Sequence, residues 1–146
     1  MDLMFDSNVF DELVSGNLSL DLFESKSIKV YVTHIQIDQI NKCTNIEKRA
    51  KLFLFMIQAK PEKVATESFI FGHSRLGFAK LGGGGMIEIL KAGNLKNTDD
   101  ALIGETAIRN NLILITNDID FRKKVMKLGG TVMNTQELKN LVNSIK

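Results

Sequence analysis

A chain of 146 residues with one cysteine, one proline, two histidines and a net charge of only +2 excludes a good deal before any motif is sought. Lone Cys43 rules out an internal disulfide framework and a multi-cysteine zinc site. It reads as a small half-buried apolar residue rather than a nucleophile, and such cysteine usage fits an intracellular, cytoplasmic protein. His34 and His73 are too few for a His-rich zinc site, although a single His ligand stays open. The charge is too small to announce nucleic-acid binding over the whole surface, so any basic patch must be local and set against acids elsewhere. No apolar run approaches the roughly 20 residues of a membrane helix. Asp2 and Asp6 interrupt the N-terminal apolar stretch, so no signal peptide is expected. The glycine run at 82–85 lacks the Gly-Lys-Ser/Thr that completes a P-loop.

What is present describes a soluble α/β protein. A 44% hydrophobic share with 25% charged residues is enough for a substantial core, and the length suits a single domain, 1–146. Leu3-Met4-Phe5 predicts a short buried strand ending at Asp6, followed by a helix with Val9, Phe10 and Leu13 on one face. Gly16 ends that helix, and Leu18 to Phe23 suggests a short turn. Ile28 to Val32 alternates as a second strand. Beyond Thr33 a short helix carries Ile35, Ile37 and Ile40, with Asp38 on its other side. Ile46 to Lys60 is the longest helical pattern, stopped by Pro61. Lys63 to Ser68 is a modest strand candidate, and Gly72 to Gly85 an irregular loop able to close over a substrate. Short helical character returns at Met86 to Lys91, then a helix opening at Asn97-Thr98-Asp99-Asp100. Leu112 to Ile115 is a continuous apolar strand. A helix from Asp118 to Gly129-Gly130, a strand at Thr131 to Met133 and a helix from Thr135 to Ile145 close the chain. Strands alternating with helices predict a mainly parallel central sheet flanked by helices, with ligands beyond the carboxyl ends of its strands.

Four acids can converge there: Asp6 after the first strand, Asp38 after the second, Asp100 at a helix start and Asp118 after the Leu112 strand. Carboxylates packed together repel one another and call for a cation. Mg²⁺ or Mn²⁺ suits such hard oxygen ligands, and an ion so held can activate water against a phosphodiester. Asp6 and Asp118 are then direct ligands, with Asp38 and Asp100 holding a second ion or orienting the attacking water. The plainer alternatives are helix capping for Asp99, Asp100 and Asp118, and a solvated position for Asp38.

The blocks Phe5-Asp6-Ser7-Asn8-Val9-Phe10, Thr33 with Asp38, Asp100-Ala101-Leu102-Ile103-Gly104-Glu105-Thr106-Ala107 and Ile115-Thr116-Asn117-Asp118-Ile119-Asp120-Phe121 resemble, in order and spacing, the PIN domain. That resemblance implies a Mg²⁺- or Mn²⁺-dependent ribonuclease, frequently a homodimer. Asp6, Asp100 and Asp118 match the family's metal-binding acids, and Asp38 falls where a Glu is usual. Asn8 and Thr116 match the polar residues that assist by hydrogen bonding, and Asp120 a further acid position. Many small proteins of this kind resemble VapC toxins, which cut structured RNA and are silenced by a small antitoxin; the Gly72–Gly85 stretch departs from their commonest pattern. RNA phosphates would meet Arg75, Lys80, Arg122 and Lys123, with Lys124 more weakly placed, and His73 and Phe78 would meet a splayed base. Two other readings compete: a PIN-like module that binds RNA or protein without efficient cutting, and a phospho-acceptor receiver. A receiver needs an early acid pair and a Lys after a late strand, where this chain has Asp118.

Overall fold

Five parallel strands lie side by side in the order β3-β2-β1-β4-β5 in a computed structural model of the chain. They are β1 (Asp2–Phe5), β2 (Lys29–Val32), β3 (Glu62–Lys63), β4 (Ile113–Ile115) and β5 (Thr131–Met133). The structure describes residues 1–19, 21, 23, 27–81 and 85–145, without the side chains of Leu95 and Ile145. Three glycines of the run at 82–85, and part of the turn expected at Leu18–Phe23, lie outside the described residues.

Alternation along the strands sends successive side chains to opposite faces, and both faces are covered. Leu3, Phe5 and Ile115 point into one core with Val9 and Phe10 of α1 (Val9–Val14), Leu52 and Phe55 of α3 (Ile46–Ala59) and Leu138 and Val142 of α7 (Thr135–Ile145). Met4 and Leu114 point into the other, against Ile87 and Leu90 of α4 (Met86–Lys91), Ala101 to Ile103 of α5 (Thr98–Arg109) and Phe121 and Val125 of α6 (Ile119–Lys127). Phe55 is fully buried and meets Phe5 and Phe23 edge to face at 5.8 and 5.2 Å. Such ring pairs add about 0.5–1.5 kcal/mol each beyond simple burial. They anchor the strand that carries Asp6.

Helix ends are set by local chemistry. Thr33 caps α2 (His34–Asn41) through a capping box with Gln36, whose side chain also donates to the Phe5 carbonyl at 3.1 Å. The first strand and the α2 start are thereby locked together. Asn45 caps α3, and Lys60 ends it in a left-handed turn at φ +43° just before Pro61.

One element departs from expectation. The strand anticipated at Lys63–Ser68 is reduced to Glu62–Lys63, both exposed at the sheet edge. Only one neighbour is available there, and Thr66 turns instead to bridge Ala79 on the chain's own return. Residues 64–81 thus form a strap, tied down by His34 Nε2 on the His73 carbonyl at 3.2 Å and by Asn110 Nδ2 donating to Glu67 Oε1 at 2.9 Å.

Candidate functional site

The centre of the rim is Thr116. Asp6 leaves β1 with its N–H still bonded to the Ile115 carbonyl at 2.9 Å, and Thr116 leaves β4 bonded likewise to Met133 at 3.0 Å. Their side chains therefore face each other directly past the strand ends. The Thr116 hydroxyl donates to Asp6 Oδ2 at 2.7 Å. It accepts from Asn8 Nδ2 at 3.1 Å and from the Asp118 backbone N–H at 3.2 Å. Asn8 further accepts from the Asn117 N–H at 3.4 Å. One hydroxyl thus joins Asp6, Asn8 and the Asp118 turn.

Ser7 performs the same service toward α5. Its backbone N–H donates to Asp6 Oδ1 at 2.8 Å, and its hydroxyl donates to Asp100 Oδ1 at 3.1 Å. Asp100 is carried in on the first turn of α5, which approaches α6 closely at Gly104. A Cβ at Gly104 would stand 2.7 Å from Phe121 Cζ, so glycine is what allows the two acid-bearing helices to pack. Asp118 caps α6, its Oδ1 accepting from the Phe121 N–H at 2.8 Å. Asp100, Asp118, Asp120, Asn97, Leu90, Phe121 and Lys124 line one cavity of about 200 Å³. Asp6 is not in that lining; it is 2% exposed and joined to Asp100 through Ser7.

Crowding shifts the titrations. Burial pushes the Asp6 carboxyl up, and the Asp118 charge adds to that; the Thr116 hydroxyl and the Ser7 N–H oppose it. Burial, then the Asp6 charge, raise Asp100 to about 7. Both shifts favour a proton on this buried pair, which titrates as a unit, so a cation must compete with that proton. A proton held this way is what a divalent cation displaces. Among the described residues no three of His, Cys, Asp or Glu already converge on one point. Mg²⁺ is commonly held through one or two carboxylates with waters completing its shell, and the Asp6–Asp100 pair fits that demand.

The other expected residues sit elsewhere. Asp38 does not join the acids: it lines a second cavity of about 200 Å³ with Ile35, Gln39, Lys42, Gly72, His73 and Asp99, and Arg75 Nη2 holds its carboxylate at 2.8 Å. A side chain one methylene shorter than Glu, claimed by a guanidinium from the strap, is the physical reason. Four of the five cations expected at RNA are in ion pairs: Arg75 with Asp38, Lys80 with Glu67, Arg122 with Glu137 and Lys123 with Asp120. His73 Nδ1 binds Asp99 at 2.7 Å, and half-exposed Phe78 rests against His34. Lys124 has no ionic partner among the described residues and faces the acidic cavity. Ser7 and Gln36 escaped the sequence reading as site residues. The Thr33-x-x-Gln36 spacing was a legible capping signal for the second, and nothing local marked the first.

No family model and no curated protein matches the chain. Its arrangement of a five-strand parallel sheet flanked by helices is a PIN-like α/β fold. Among solved structures it is similar to a chain in the crystal structure of VapBC2 from Rickettsia felis bound to a DNA fragment from their promoter. The TM-score is 0.56 at 16% identity, over 92% of this chain and 98% of that one. No helix among the described residues is long and apolar enough to cross a membrane.

Proposed function

We propose that this chain is a metal-dependent endoribonuclease that hydrolyses RNA phosphodiester bonds. The observation that carries the reading is the junction of Asp6, Asp100 and Asp118 through Thr116 and Ser7 at one rim of a parallel sheet. Asp6 and Asp100 would hold Mg²⁺ or Mn²⁺, with Asp118 beside them. When bound, the ion supplies charge stabilisation for the phosphoryl oxygens and a more acidic water. The protein's own part is orientation. Thr116, steadied by Asn8, and the Ser7 N–H fix the Asp6 carboxylate, the Ser7 hydroxyl fixes Asp100, and Lys124 offers a cation to a phosphate entering the cavity. Asp38, tied to Arg75, takes no place among the ligands.

The likeness to a VapBC2 chain supports the toxin of a toxin–antitoxin pair as the biological setting, with a small antitoxin and a second copy of the chain as partners. A single gel tests the core of this. The purified protein should cut structured RNA with Mn²⁺ and not with EDTA, and Asp118→Asn should abolish cutting with the fold intact. Asp38, held by Arg75 rather than standing with the other acids, favours one competing reading, a PIN-like module that binds RNA or protein with little cutting; RNA retained but uncut in that gel would establish it.

A further inference from the structure

The second cavity adjoins the acidic one through Asp99 and Asp100, which are consecutive on the first turn of α5. Side chains one residue apart diverge by about 100° around a helix, so each acid serves a different cavity. Their α-carbons stand only about 3.8 Å apart, so the two cavities open from neighbouring positions of one helix turn.

The two cavities differ in charge. Asp100, Asp118 and Asp120 face the first, against Lys124 alone. In the second, Asp38 and Asp99 are balanced by Lys42 on the wall and by Arg75 paired to Asp38. A balanced cavity neither demands a cation nor attracts a bare phosphate. It suits a neutral group rich in hydrogen bonds.

Acceptors stand unclaimed there beside the Lys42 ammonium, a donor. Gln39 Oε1 is buried without a partner among the described residues. Asp99 uses Oδ1 on His73 Nδ1, which leaves its second oxygen to accept from a ligand. At about 200 Å³ the space is smaller than a drug-sized pocket, and Ile35 and Gly72 give it an apolar surface. Among the RNA bases only guanine presents adjacent N1–H and N2–H₂ donors on its Watson–Crick edge, the edge by which unstacked RNA bases are read.

We propose that the second cavity is a guanine-reading subsite, in which Asp99 and Gln39 accept from N1–H and N2–H₂ while Lys42 donates to O6. The subsite rests on the nuclease reading and would place cleavage next to a guanosine. Binding to the full wild-type chain in EDTA tests it apart from cleavage. GMP should bind about tenfold or more tightly than IMP, which lacks only the N2 amine, and AMP, CMP and UMP should bind weakest. Gln39→Leu, which removes an atom with no internal partner, should erase the difference between GMP and IMP. Equal binding of all nucleotides overturns the proposal, as does a GMP preference that survives both Gln39→Leu and Asp99→Asn. The two readings fail separately: RNA cut without regard to guanine sinks the subsite alone, and selective GMP binding with uncut RNA sinks the nuclease alone.

Discussion

Replacing Asp100 with Asn should make the metal-free protein more stable at neutral pH and flatten its response to pH. Asp100 rises from 3.8 to about 7 in the folded chain, first through burial and then through the neighbouring Asp6 charge. A carboxyl whose folded value is raised binds its proton more tightly folded than unfolded. Its contribution is therefore fully present below the unfolded value and is lost as pH climbs toward 7. At about 1.4 kcal/mol per unit, that shift sets a ceiling of roughly 4 kcal/mol. Water reaches Asp100 through the open cavity and screens the charge, so the expected loss between pH 4 and 8 is about 1–2 kcal/mol. Urea midpoints taken in EDTA across that range measure it. In Asp100→Asn the fall should shrink by that amount, with the change belonging to the coupled Asp6–Asp100 pair rather than to one acid. Saturating Mn²⁺ should restore wild-type stability more at pH 8 than at pH 5, because the ion competes with the retained proton. Parallel wild-type and Asp100→Asn curves would refute the crowding of the two acids.

Thr116→Val keeps the shape but removes the hydroxyl that steadies Asp6, so Mn²⁺ affinity should drop severalfold by titration and the cleavage–pH profile should move upward. Gly104→Ala forces a methyl group against Phe121 and should cost about 1–3 kcal/mol in urea unfolding, with activity falling as the two helices part. Arg75→Ala frees Asp38 and should weaken RNA binding in proportion to its salt sensitivity; unchanged affinity at low salt would remove the strap from RNA contact. Phe55→Ala should cost about 3–5 kcal/mol by emptying the aromatic cluster under β1, read as a lowered thermal midpoint.

The strands that end in acids were the most legible part of the sequence, because an apolar run broken by a carboxylate fixes both the strand and the rim where it stops. Leu3 to Asp6 and Leu112 to Asp118 behave in this way. Capping was read at Asp118, which accepts from a residue three positions on, and not at Asn45 or Thr33, whose cap bonds are just as local; Asn8 makes no side-chain cap bond. Asp38 misled for a physical reason. Its place after the second strand is right, yet its partner, Arg75, comes from a strap whose course depends on an isolated bridge between Thr66 and Ala79. Ser7 was overlooked because its meaning comes from Asp100, 93 residues away. Pairings of surface cations such as Arg122 with Glu137 likewise join separate helices, and no local spacing announces them.

The bond from Thr116 to Asp6 closes a loop of 110 residues, and β1 reaches its place in the sheet only once β4 has come alongside. During translation, a ribosome that has released the first hundred residues has therefore made most of the helices and none of the assembled rim. A growing or prematurely terminated copy that stops short of β4 has no such rim, so whatever the rim does waits on the synthesis of Thr116 and Asp118.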